Sequence, residues 1–180
     1  MLTFWRHGYE TTSITDLTAA MGVTTPSLYT AFGDKKQLFL EAVRLYAGDP
    51  KMMADAVGVA PTACDAARDL MTSAAFAYTG EDTPSGCLLA SATASGSAGS
   101  ADVQQAVADI RRGVQACLRA RIEQDIAKGA MPPATDPAEL SGLVMAVIQG
   151  MSVLARDGAD RAALLAIVSG ALRAWPALPG

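Results

Sequence analysis

The stretch from Ser13 to Lys36 leaves this chain the fewest options. Ser13 and Asp16 have the spacing of a Ser-x-x-acid capping box, which starts a helix. Ile14, Leu17 and Met21 then fall on one helical stripe. Gly22 ends that helix, because the residue just past a helix often needs positive φ. Val23 is expected as an apolar plug in the turn. Thr25 is expected to cap a second helix with Pro26 at its first position, where a missing N–H costs little. Leu28 and Phe32, four apart, face inward. Pro26, Ser27, Tyr29 and Thr30 point the other way. Gly33 stops the second helix, and Asp34 caps a third.

Two short helices joined by a glycine-containing turn form a helix-turn-helix, whose second helix can enter a DNA major groove. Its outward face suits that role. Ser and Thr hydroxyls meet phosphates or base edges, and a tyrosine adds a phenolic hydrogen bond. Lys35 and Lys36 stand beside the face and can neutralise phosphates.

The pattern extends further. Gly8, Tyr9, Thr12, Ser13, Ile14 and Leu17 are followed by Gly22 and Val23. Then come Pro26, Ser27, Leu28, Tyr29, Phe32, Gly33, Asp34, Lys35, Leu38 and Phe39. This arrangement resembles the DNA-binding domain of the TetR family of transcriptional regulators. With residue types fixed at many positions, it is far more specific than a bare helix-turn-helix. The resemblance implies a dimeric, all-helical regulator, usually a repressor, that a small molecule releases from DNA. It implies phosphate contacts from Thr12, Tyr29 and Lys35. It places Thr24, Thr25, Ser27 and Thr30 at or near the bases.

Composition agrees with an all-α fold and is less obliging about DNA. The chain has 180 residues, half of them apolar, with many Ala and few β-branched runs. Its formal net charge is −4. Residues 1–48 set Arg6, Lys35, Lys36 and Arg44 against Glu10, Asp16, Asp34 and Glu41, so this part is formally neutral. A local lysine pair must therefore act in an unhelpful background field. Cys64, Cys87 and Cys117 are odd in number and lack C-x-x-C spacing, which fits a reducing cytoplasm. Met1 to Gly8 lacks the pattern of a signal peptide. Leu143 to Ala155, the longest apolar stretch, reads as too short to cross a membrane.

At the N-terminus Leu2, Phe4 and Trp5 look like the last turns of an amphipathic helix that stops at His7-Gly8. The family's first helix is longer and often follows a basic arm, so this domain is expected to be shortened. That leaves an alternative reading: a helical small-molecule-binding or interaction protein that has lost DNA binding. Asp34 to Ala47 reads as a helix buried on two sides, through Leu38, Phe39, Ala42, Val43, Leu45 and Tyr46. Gly48-Asp49-Pro50 breaks it. The break divides the chain into 1–48, the helix-turn-helix domain, and 49–180, by resemblance a helical ligand-binding and dimerisation domain.

Residues 51–60 are ambiguous. Thr62 or Asp65 opens a helix to Thr79, and Cys87 begins a short buried one. Ser95–Ser100 reads as an interhelical loop. A long helix runs from Ser100 or Asp102 to Lys128, with Arg111, Arg112, Arg119, Arg121 and Glu123 on its wet face. Two final helices span about 136–156 and 159–175. Gly142, Ala146 and Gly150 form a row of small residues that allows close helix approach. These two helices are too apolar for one monomer, and the resemblance implies an isologous four-helix homodimer contact.

Candidate effector-pocket residues are Met52, Met53, Met71, Phe76, Tyr78, Cys117, Met145 and Gln149, soft, aromatic or polar groups on the helices after the boundary. The shortage of charge on inner faces points to a neutral, apolar effector. The sequence has no nucleophile elbow, dinucleotide fingerprint, P-loop or zinc-protease motif, and His7 is its one histidine. No enzymatic activity, catalytic residue, metal or cofactor is expected.

Overall fold

The computed structural model describes residues 1–91 and 100–176. Among the described residues there are ten α-helices and no strand. They are α1 (Leu2–His7), α2 (Ile14–Met21), α3 (Thr25–Phe32), α4 (Lys35–Ala47), α5 (Pro50–Val59), α6 (Ala63–Tyr78), α7 (Leu88–Ser91), α8 (Ala101–Ala127), α9 (Pro137–Arg156) and α10 (Arg161–Arg173). The ambiguous segment after Gly48 is helical. Asp49 caps α5 by accepting the Lys51 N–H, and Pro50 occupies its first turn. Apart from Ser100, the loop expected over Ser95–Ser100 lies outside the described residues.

The chain divides into two compact units. The first is Met1–Gly48 with Cys87–Ile110, and the second is Asp49–Gly86 with Arg111–Gly180. The first is held by aromatic rings. Phe4 is fully buried and meets Phe39 edge-on at 5.0 Å, while Tyr9 packs on Phe39 at 5.1 Å. Trp5 meets Tyr46 edge-on at 4.9 Å, and the Tyr46 hydroxyl donates to Cys87 Sγ at 3.4 Å. So α1, short as it is, supplies two core anchors. It also docks on α7, where Ser91 Oγ donates to the Trp5 carbonyl at 3.0 Å. Gly8 is forced there: φ is +82°, and a Cβ would sit 2.9 Å from the Ser91 carbonyl oxygen.

The second unit is built on α6, which packs on both α9 and α10. Met71, Ala75 and Tyr78 from α6 are buried, as are Val144, Ile148 and Met151 from α9 and Leu164 and Val168 from α10. One expectation fails here. Arg121 is not on the wet face of α8; its side chain is 7% exposed and pairs with Asp125, 4% exposed, at 3.0 Å. The Arg121 guanidinium also donates to the carbonyls of Val57, Gly58, Ala60 and Pro61, at 3.2, 3.3, 2.6 and 2.9 Å. Asp125 Oδ2 accepts the Ala63 N–H at 2.6 Å.

The chemistry is complementary at both helix ends. A cation closes the carbonyl end of α5, and an anion closes the amide end of α6. The interior of this unit is therefore not free of charge, as its composition suggested. Arg119 does lie outside and pairs with Glu123 at 2.9 Å.

By length and composition only, α9 is long and apolar enough for a membrane span, a test that the core helix of a soluble protein also passes; it extends beyond the apolar stretch Leu143 to Ala155 at both ends, and 39% of its apolar window is buried within this chain. Leu140, Val144, Ile148, Met151 and Ala155 face inward, and Leu143, Val153 and Leu154 remain exposed.

Candidate nucleic-acid interface

The interface is built by local rules. Ser13 Oγ accepts the Asp16 N–H at 3.1 Å, and the Asp16 carboxylate accepts the Ser13 N–H at 2.9 Å, completing the capping box. The Ser13 hydroxyl, donating to Asp16 Oδ2 at 2.7 Å, and then the Ser13 N–H hold the Asp16 carboxyl below its ordinary range. Gly22 is left-handed at φ 66°, ψ 30°, and turns the chain into α3. The cap of α3 is Thr24 rather than Thr25. Thr24 Oγ1 accepts the Ser27 N–H at 3.3 Å and meets Ser27 Oγ at 2.9 Å. Thr25 is the first helical residue, and Pro26 is the second.

Burial sorts the two faces of α3. Leu28 is buried, as is Leu17 on α2, whereas Phe32 and Ile14 are only partly covered. Met21 and Val23, expected inside, are exposed, so the turn is closed by backbone bonding rather than by an apolar plug. Thr24, Thr25, Pro26, Ser27, Tyr29 and Thr30 are all exposed, Tyr29 at 46%. A proline, hydroxyls and a phenol stand opposite the one buried leucine.

The flanking groups are less uniform. Thr12 is buried, and its hydroxyl donates to the Gly8 carbonyl at 2.6 Å, so it presents no side chain to solvent. The Lys35 ammonium turns back to the carbonyls of Tyr9, Glu10 and Thr12, at 3.0, 3.4 and 3.0 Å. It also lies 4.5 Å from the centre of the Tyr9 ring. Lys35 thus ties the start of α4 to the segment between α1 and α2. Lys36 is bonded to Asp102 at 2.9 Å, a partner that short-range sequence rules do not supply.

The family model for bacterial regulatory proteins of the tetR family matches residues 3–42, and that for the tetracyclin repressor-like C-terminal domain matches 64–169. The chain belongs to the TetR family. It is 33% identical over 180 residues to the HTH-type transcriptional repressor ComR of Escherichia coli K12, covering 99% of this chain and 86% of ComR. It also resembles the TetR family regulator CifR, solved as a cysteine mutant with 26-base-pair double-strand operator DNA. That match has a TM-score of 0.90 and 37% identity over 97% of this chain and 92% of CifR. A third relative is a TetR regulator from Rhodococcus sp. RHA1, with a TM-score of 0.67 and 36% identity over 97% of this chain and 94% of the relative.

TetR-family membership makes this chain a ligand-responsive DNA-binding transcriptional regulator, and regulators of this family are dimeric. The match over residues 3–42 weighs against the alternative in which DNA binding has been lost. The candidate effector residues scatter in exposure. Met71 and Tyr78 are core residues of α6, while Met52 and Phe76 are open to solvent. Phe76 carries the Arg161 guanidinium 4.6 Å from its ring centre. Met53, Cys117, Met145 and Gln149 are partly covered. Met145 and Gln149 belong to α9, which packs on the α6 that bears Met71, Phe76 and Tyr78.

Proposed function

We propose that this TetR-family chain is a repressor whose dimer sets two α3 helices into successive major grooves, about 34–36 Å apart, on a near-palindromic operator. The observation that carries this reading is the sorted surface of α3. Leu28 is buried beneath it, and Thr25, Ser27, Tyr29 and Thr30 are exposed above it. Thr24 is at once the cap of α3 and a neighbour of the bases. Tyr29 holds a phosphate through its hydroxyl. Lys36 adds charge at the edge. Lys35 and Thr12 act as positioning residues, since their polar atoms fix the backbone from Gly8 to Thr12.

The two chains meet through α9 and α10, where Leu143, Val153 and Leu154 await a matching face. A mostly apolar effector binds within the Asp49–Gly86 and Arg111–Gly180 unit and favours a different spacing of the two α3 helices. Coupling of about 1–3 kcal/mol between effector and DNA is typical. The regulator acts in the cytoplasm, beside its DNA.

The test is a duplex selected by the protein from a random-sequence pool, with binding followed by fluorescence anisotropy. Tyr29→Ala is expected to weaken binding about tenfold, roughly 1.4 kcal/mol, with an unchanged melting curve. Unchanged affinity for both Tyr29→Ala and Ser27→Ala would remove α3 as the DNA-facing element.

A further inference from the structure

Lys35 and Lys36 are sequence neighbours with different partners. Lys35 serves three carbonyls of its own unit. Lys36 reaches 66 residues along the chain to Asp102, in the first turn of α8, with Nζ 2.9 Å from Oδ2. Both belong to the first unit. The pair is on the surface, with side chains 34% and 77% exposed. Surface ion pairs of this kind add little to folding stability, so the fold does not require it. The bond to Asp102 holds the Lys36 ammonium above its ordinary range, and Asp34 and Tyr9 act in the same direction.

The same pair matters far more to a polyanion. Lys36 stands in the first turn of α4, four residues past the end of α3. Cys87–Ile110 brings Asp102 and Asp109 and no Lys or Arg to a segment that is otherwise neutral, so the unit has a formal charge of −2. A carboxylate oxygen and a phosphate oxygen compete for one ammonium by the same charge-assisted bond. A duplex arriving at α3 therefore meets a nearby cation that is already engaged.

We propose that Asp102 competes with a DNA phosphate for the Lys36 ammonium: on operator binding Lys36 changes partner from Asp102 to the DNA backbone, and the exchange holds operator affinity below what an unengaged Lys36 would give. The proposal rests on the reading of α3 as the DNA-facing helix. It also ties Lys36 to the first turn of α8, since any shift of that turn alters whether the ammonium is available.

The experiment measures anisotropy of a labelled duplex, selected from a random-sequence pool by the unaltered protein, between about 50 and 200 mM salt. Asp102→Asn is expected to tighten binding on the order of three- to tenfold at 0.1 M salt, the scale of one phosphate contact. It should also steepen the salt dependence by up to about one ion, because a freed Asp102 no longer takes back a cation. Lys36→Gln should weaken binding by a similar factor, and Asp102→Asn should then have little further effect in the Lys36→Gln protein. Equal tightening in both backgrounds would overturn the proposal in favour of a diffuse charge effect. An Asp102→Asn protein with unaltered affinity and salt slope would also overturn it while leaving DNA binding intact. Recovery of no duplex by the unaltered protein would overturn the DNA reading and this exchange together. Melting curves of the exposed-site variants are expected to overlay that of the parent.

Discussion

Replacing Asp125 by Ala strands two groups at once. The Arg121 guanidinium loses its only carboxylate partner among the bonds described, and the Ala63 N–H at the start of α6 loses a 2.6 Å acceptor. Both side chains of the pair are nearly inaccessible, so water cannot replace what is removed. Breaking a buried pair from one side costs about 3–5 kcal/mol, because an uncompensated charge is left inside. For a chain of this length, that corresponds to a drop of roughly 6–20 °C in melting temperature.

The remedy that works for some buried pairs, replacing both partners by apolar residues, is expected to fail here. Arg121 also covers the carbonyls of Val57, Gly58, Ala60 and Pro61, and an Arg121→Leu, Asp125→Leu protein would leave those oxygens and the Ala63 N–H without their donors and acceptor. Urea unfolding followed by circular dichroism at one fixed protein concentration is the assay, since a dimer's apparent stability depends on concentration. If Asp125→Ala unfolds within about 1 kcal/mol of the parent, or the double Leu protein regains full stability, the junction does not depend on this pair.

Two further outcomes follow from the caps. Thr24→Ala should destabilise by about 1 kcal/mol in the same urea assay and Thr25→Ala by clearly less, because only Thr24 accepts the Ser27 N–H. In acid, Asp16 and Asp65 set a direction. Hydrogen bonds from Ser13 to Asp16, and from Thr62 and Arg68 to Asp65, hold both carboxyls below their ordinary value. Their contribution is present above the unfolded carboxylate pKa of about 3.9 and is lost as pH falls through the lower folded values. Urea midpoints should therefore decline below about pH 4, and an Asp16→Asn, Asp65→Asn protein should show a shallower decline.

What the sequence made legible was what short-range rules decide. The Ser13–Asp16 box, the glycine after α2, the buried Leu28 and the exposed Ser27, Tyr29 and Thr30 all depend on residues a few positions apart. Thr24 and Thr25 show where even local reading slips: two adjacent threonines can both cap, and Pro26 is acceptable at either of the first two positions. Arg121 illustrates a different limit. On α8 it sits among charged residues at wet-face spacing. The carbonyls that claim it lie 60 to 64 residues earlier, where two helix ends converge. Lys35 and Lys36 were legible as cations beside α3, but their partners were not: the carbonyls lie 23 to 26 residues away and Asp102 lies 66 away. The candidate effector-pocket residues stand out by chemical type and by lying on helices after the boundary, and neither separates a core methionine such as Met71 from an exposed one such as Met52.

The outward row of Leu143, Val153 and Leu154 has a consequence for dosage. In the proposed dimer a single copy offers one reading helix to the duplex, and joining through α9 supplies the second. While unpaired chains predominate, the pool of competent pairs grows as the square of the amount synthesised. Halving production then quarters that pool, so control of the target gene sharpens around a threshold in the regulator's own abundance.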